Sequence, residues 1–340
     1  MFRRFLAVLL TVVAILAAGW LSLRRADISF ETLEAAYALQ DSKFLTLETG
    51  YKAHYRDVGP RDAPVVVLTH GFASSLHTWL PLSERLSGDY RVISLDLPGH
   101  GLTRGFDEAT VSINGFVDYI QDVTGALGVD EFTLVGSSMG GSASWNYALE
   151  HGDQLEGLVL IGASGWPPLD GDENNRPLIF RLIANPLARA VIKDLDMSSL
   201  VQSGLERSFG DPSLATEEMA ARYAALSRAP GHREALLALT APESARRPAT
   251  AELMATIETP TLVIHGDIDA VVPVSGGERF AESIPDARLE IYEGVGHLPH
   301  EEAPDRVAEH IRVFLGDVYA GEPTQILALD ASTPSDGSPP

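Results

Sequence analysis

The chain has no cysteine among its 340 residues, which excludes disulfides, thiolate metal sites, a cysteine nucleophile and lipid attachment through sulfur. Positive charge is scarce as well. Lysine and arginine number 25 against 47 aspartates and glutamates, for a formal net charge of −22. Four of the arginines, Arg3, Arg4, Arg24 and Arg25, fall in the first 25 residues, which hold no acid, so the remainder carries a net −26. A surface of that sign repels phosphates and argues against nucleic acid as a partner. No internal repeat is visible. Residues 321–340 (GEPTQILALDASTPSDGSPP) lack a periodic apolar face and accumulate proline and small polar residues, so a disordered tail is expected there.

What is present starts with one long apolar run. Phe5 to Leu23 holds 19 uncharged residues between Arg3-Arg4 and Arg24-Arg25. At 1.5 Å per residue it reaches roughly 28 Å, close to the hydrocarbon thickness of a bilayer. Two readings compete. Residues 1–25 are a single-pass anchor, or a signal peptide with Ala17-Ala18-Gly19 as the cleavage site. The length and the trailing arginine pair favour the anchor, with the rest of the chain on the non-cytoplasmic side.

Between these ends, β-branched runs alternate with helical patterns: Val65–Thr69 (VVVLT), Arg91–Leu95 (RVISL), Phe132–Val135, Leu158–Ile161, Thr261–His265 and Leu289–Tyr292. Helices are expected over Ile113–Leu127, Met139–Glu150 and Pro304–Val318, and an antiparallel hairpin over Phe44–Tyr55. Apolar strands separated by helices imply a mostly parallel sheet covered on both faces. The rhythm stops from Trp166 to about Glu258, where only helical segments are expected, at 176–184, 186–195 and 217–227. The chain thus divides into a core at 40–165 and 259–320 with a helical insert at 166–258. The insert stretch LIFRLIANPLARAVI is strongly apolar, suited to packing on the core or to contact with acyl chains or a membrane surface.

Ser138 stands at the carboxyl end of the strand FTLV and opens the helix MGGSASWNYALEH. Ligand sites of open α/β sheets form at such ends. Gly136 and Gly140 leave room for a sharp turn that points the hydroxyl outward, and the Met139 N–H faces any oxyanion beside it. A serine hydroxyl needs a base, and the base needs an orienting acid. The loop GDIDAVVP after TLVIH offers Asp267 and Asp269. The loop EGVGHLPHEEAP after LEIY offers His297, with His300 close behind as a cap or rim contact.

Together these segments resemble the α/β-hydrolase family over roughly Leu45 to Val318. HGFASSLHTW resembles the family's oxyanion loop, in which His70 and Gly71 precede the residue donating its backbone N–H, here Phe72. DLPGHGLT (96–103) resembles the loop after the next strand, and VGSSMGG the nucleophile elbow with Ser138 as nucleophile. HGDIDAVVP selects Asp269 as the acid, and GHLPHEEAP gives His297 as the base. The resemblance makes 166–258 a cap domain. Serine at 138 departs from the carboxylate nucleophile of haloalkane dehalogenases and epoxide hydrolases. Met139 stands where proline iminopeptidases usually carry tryptophan. Carboxylesterases and lipases remain, beside carbon–carbon hydrolases of vinylogous diketones, lactonases, perhydrolases and, remotely, a non-catalytic binding protein. The expectation is a serine carboxylic-ester hydrolase acting on a small-molecule ester or lipid, with neither metal nor organic cofactor.

Overall fold

The runs VVVLT, FTLV and LVLI show no polar alternation, so a sheet built from them must be covered on both faces. In the computed structural model, which describes residues 2–107, 111–167, 185, 188, 193–240 and 247–320, they belong to one eight-stranded sheet. The strands are β1 (Ser42–Thr46), β2 (Lys52–Val58), β3 (Val65–Thr69), β4 (Arg91–Leu95), β5 (Phe132–Ser137), β6 (Leu155–Ile161), β7 (Thr261–Gly266) and β8 (Arg288–Tyr292). Their order is β1-β2-β4-β3-β5-β6-β7-β8. β1 and β2 form the antiparallel edge hairpin, β2 is antiparallel to β4, and every later pairing is parallel.

Helices α1 (Phe2–Leu23) and α2 (Phe30–Tyr37) precede the sheet, and α3 (Leu80–Leu86), α4 (Ile113–Ala126) and α5 (Met139–His151) connect its first strands. The insert between β6 and β7 contains α6 (Ser198–Ser208), α7 (Glu217–Leu226), α8 (His232–Leu239) and α9 (Ala251–Met254). Helices α10 (Val274–Ser283), α11 (Pro299–Glu302) and α12 (Pro304–Ala320) complete the core. Successive strand residues point to opposite faces. Val67, Leu134 and Val263 join Phe116, Ile120 and Trp145 beneath α4 and α5. Val66, Val135 and Ile264 join Trp79, Leu82, Ile311 and Phe314 beneath α3 and α12. Strand order reverses at β3, because β4 lies on one side of it and β5 on the other. The loops leaving β3 and β5 therefore diverge and open a crevice at the carboxyl edge.

The sequence-expected helix at 176–184 and tail at 321–340 lie outside the described residues, as does most of 186–195 and of the apolar stretch 178–192. Among the described residues, α1 alone is long and apolar enough to cross a bilayer, and its most apolar 18-residue window is not buried in the rest of the protein. Its exit is not a loose tether. Arg24 bridges Leu195 of the insert in antiparallel fashion, Arg25 N–H donates to Asp194 O (2.8 Å), and Asp196 N–H donates to Leu23 O (3.0 Å). Arg25 also pairs with Asp196 at 2.9 Å. Leu33 of α2 then packs with Leu102, Leu226 and Ala229, tying residues 24–37 to the insert. Nothing local marks this segment as structured, because its apolar residues are few and find partners such as Leu226 and Arg228 some 200 positions away.

Arg233 of α8 is buried at this junction, donating from Nη2 to Arg25 O (2.8 Å) and from Nη1 to Lys193 O (3.1 Å), with Asp27 at 3.2 Å. Arg233→Ala leaves those acceptors unpaired and lowers stability by about 2 kcal/mol. Thermal unfolding of the full chain in detergent checks this, with a Tm drop of about 3 °C expected.

Candidate active site

Ser138 follows β5 with φ 52° and ψ −114°. Only Ala73 and Asp286 among the other described non-glycine residues share a positive φ. Four hydrogen bonds hold the turn: Ser138 N–H donates to Ile161 O (3.0 Å), while Ser138 O accepts from Ser142 N–H (3.0 Å), Ser164 N–H (3.1 Å) and Ser164 Oγ (3.2 Å). The flanking glycines are required by space. A Cβ at Gly140 would lie 2.2 Å from Thr69 O, and one at Gly71 3.2 Å from Ser138 Cβ. The ends of β3 and β5 thus touch, which brings the oxyanion-type loop beside the Ser138 side chain.

That loop is a turn in which Ser74 N–H donates to Gly71 O (3.3 Å). Phe72 takes its second position, with its N–H outside the turn's own bond and its ring exposed. Met139 is the first residue of α5, whose first-turn N–H groups lack intrahelical acceptors. His70 braces the loop from below. Leu97 N–H donates to its Nε2 (3.1 Å), which leaves the proton on Nδ1 to donate to Gly71 O (2.8 Å). Burial lowers its pKa, so it works as a neutral strut.

The two candidate acids separate by their partners. Asp269 Oδ2 faces His297 Nδ1 at 2.7 Å and His265 Nε2 at 3.2 Å, while Oδ1 accepts from Val271 and Val272 N–H, each at 2.8 Å. Burial by itself would raise this carboxyl, but the bonds from His265 and His297 hold it far below the usual carboxylate range. Asp267 instead accepts from Gly294 N–H at 2.7 Å, bracing the loop before His297. His265 escaped the sequence reading, although it ends the strand TLVIH only four residues before Asp269. His297 lies over Gly162, where a Cβ would stand 3.2 Å from Nδ1, and Gly162 belongs to the same turn after β6 that holds Ser138. Serine and the Asp–His pair therefore converge on one turn.

His300 is not at the rim, as its position in the loop suggested. It is fully buried, stacks on Trp79 at 4.3 Å and meets Thr78 Oγ1 at 2.9 Å through Nε2. The indole of Trp79, more than 200 positions earlier in the sequence, supplies the cover that a loop residue lacks on its own. A continuous Ser–His–Asp line is formed elsewhere, by Ser42 Oγ, His54 and Asp96, with contacts of 2.8 and 2.6 Å. It is a brace. Ser42 lies in an ordinary strand and accepts from Leu39 N–H (2.8 Å), while Asp96 accepts from Leu76 N–H (2.6 Å) and Leu102 N–H (2.7 Å).

The sequence model of the alpha/beta hydrolase fold matches residues 64–304. The chain belongs to the α/β-hydrolase family. It is 28% identical to a 2-hydroxy-6-oxo-6-phenylhexa-2,4-dienoate hydrolase of Burkholderia cepacia, over 78% of this chain and 92% of that protein. It is 29% identical to a monoacylglycerol lipase of Xenopus laevis, over 79% of this chain and 81% of that protein. The crystal structure of a membrane phospholipase A matches with a TM-score of 0.68 and 25% identity, covering 93% of this chain and 99% of that one. The chain is thus a hydrolase by family, with esterases, a monoacylglycerol lipase and meta-cleavage product hydrolases among its relatives.

One group near this α/β-hydrolase site titrates near neutrality. Glu301 is half-buried, and burial pushes its carboxyl up to about 7, with Thr78 Oγ1 donating to it (2.5 Å). An acid whose pKa is raised by folding supports the fold while protonated and withdraws that support as pH rises to about 7. The Glu301 contribution to stability therefore falls as pH rises from about 4.5 to about 7, and Glu301→Gln, which still accepts from Thr78, removes that part of the pH dependence of Tm. Calorimetry at a series of pH values checks the difference.

Proposed function

We propose that the protein is a serine carboxylic-ester hydrolase that works through an acyl-enzyme at a membrane. The observation that carries this reading is the pairing of a positive-φ serine at the elbow with an Asp269–His297 hydrogen bond of 2.7 Å beside it. Asp269 accepts the Nδ1 proton of His297, leaving Nε2 free to take the proton of Ser138. Ser138 Oγ attacks the ester carbonyl, and the N–H groups of Phe72 and Met139 receive the oxyanion. His297 returns the proton to the leaving alcohol, then activates the water that releases the acid. No step needs a metal or organic cofactor. The insert 166–258 acts as a cap over the crevice.

Helix α1 acts as a membrane anchor through residues 5–23, with the catalytic domain on the non-cytoplasmic side. The lipase of Xenopus laevis and the membrane phospholipase support an ester or lipid substrate. The Burkholderia cepacia relative keeps a carbon–carbon hydrolase as the second reading. An activity profile over ester chain lengths, run beside a vinylogous diketone, separates the two. Alkaline washing with N-terminal sequencing separates the anchor from a cleaved signal peptide, for which a new terminus at Trp20 is the sign.

Ser138→Ala should lower kcat by roughly 10⁴-fold or more, and a serine-reactive phosphonate should label Ser138 rather than Ser137. Asp269→Asn should cost about 10⁴-fold by favouring the wrong histidine tautomer, and Asp267→Asn far less. Near-normal turnover in the Ser138 variant, or a reversed order of the two aspartates, would sink the assignment.

A further inference from the structure

The insert grips the chain around His297 through backbone. His297 N–H donates to Ser208 O at the end of α6 (2.6 Å). Gly210, just beyond α6, and Gly296 approach so closely that a Cβ on Gly210 would lie 2.3 Å from Gly294 O, and one on Gly296 2.6 Å from Gly210 N. Two N–H groups, those of Gly296 and Gly210, point into this contact. A single carboxylate receives both. Glu302 Oε1 accepts from Gly296 N–H and Oε2 from Gly210 N–H, each at 2.8 Å. Glu302 ends the short helix α11, five residues after His297, and its own N–H is held by Leu298 O (2.9 Å). Leu298 in turn packs against Leu205, Phe209 and Ala220 of the insert.

We infer that Glu302 is a positioning residue that locks the insert to the His297 loop, so that His297 is aimed at Ser138 only while the insert is seated. The inference rests on the reading of His297 as the base. A carboxylate accepting two N–H bonds on its two oxygens holds both donors at a fixed separation, and a charged acceptor makes each bond stronger than a neutral one. Glutamine has the same shape but one acceptor oxygen, and its NH₂ confronts the other N–H. Either arm of the clamp then opens. Opening the Gly296 arm frees the residue directly before His297, and opening the Gly210 arm frees the end of α6 whose Ser208 carbonyl holds the His297 N–H. Misplacement of a base by an ångström costs on the order of 100-fold in rate.

Glu302→Gln in the full-length protein, assayed in detergent with a water-soluble ester, tests this. The expected result is a fall in kcat of roughly 10- to 100-fold with KM changed by less than about twofold. The far-downfield proton resonance of the His297 Nδ1–H to Asp269 bond, assigned by its loss in His297→Gln, should shift or broaden in the same variant. A residue that merely supports the fold would lower Tm and leave that resonance in place. Gly210→Ala, whose added Cβ would meet Gly294 O at 2.3 Å and Glu302 Oε2 at 3.0 Å, wedges the contact from the insert side while keeping the carboxylate, and should reproduce both changes. A Glu302→Gln enzyme with kcat within about twofold of wild type, or with reduced kcat and an unmoved resonance, overturns the inference. Retained activity in Ser138→Ala would instead overturn the underlying assignment, so the two failures are distinct.

Discussion

Ser138 keeps a backbone conformation that an L-residue disfavours by about 1–3 kcal/mol, and the surrounding structure is arranged so that it cannot relax. Its N–H is held by the end of β6, and its carbonyl by α5 and by Ser164. Relaxing the elbow would break those bonds together. The close contact of Gly140 with the end of β3 adds a steric limit, because any side chain there would collide with Thr69 O. Everything else in the crevice takes its position from this corner: the loop after β3 on one side, the turn after β6 on the other.

The charged and polar groups around it follow from burial. Asp96 and Asp269 both lie in the interior, and each is a carboxylate that accepts two backbone N–H groups and a histidine. Unpaired, either charge would cost several kcal/mol, and fully bonded it organises the loops that donate to it. Two His–Asp pairs therefore arise, each with a serine nearby, in different settings. Ser42 sits in regular strand geometry, with its hydroxyl consumed by His54 and Leu39. Ser138 sits partly exposed on a strained turn at the carboxyl edge of the sheet.

The insert is integrated with both sides of the crevice. Tyr223 of α7 bonds Ser74 of the loop after β3 (2.8 Å), and the end of α6 bonds the chain at His297. It also receives the exit of α1 through Arg24 and Arg25. A single helical layer thus joins the apolar N-terminal helix to the two loops that flank Ser138.

Local sequence was enough for the sheet strands, the helices at 113–126, 139–151 and 304–320, the edge hairpin and the elbow, because periodicity and glycine placement act within a few residues. Family resemblance pointed to Asp269 over Asp267, a choice that spacing alone left open. What the sequence could not carry were contacts between distant segments: His265 beside Asp269, His300 buried on Trp79, the docking of residues 24–37 on the insert, and Glu302 spanning Gly210 and Gly296. Each joins groups whose partners are set by how layers pack. A histidine or glutamate next to glycines reads the same in sequence whether it meets water or a buried N–H, and only the tertiary structure decides which.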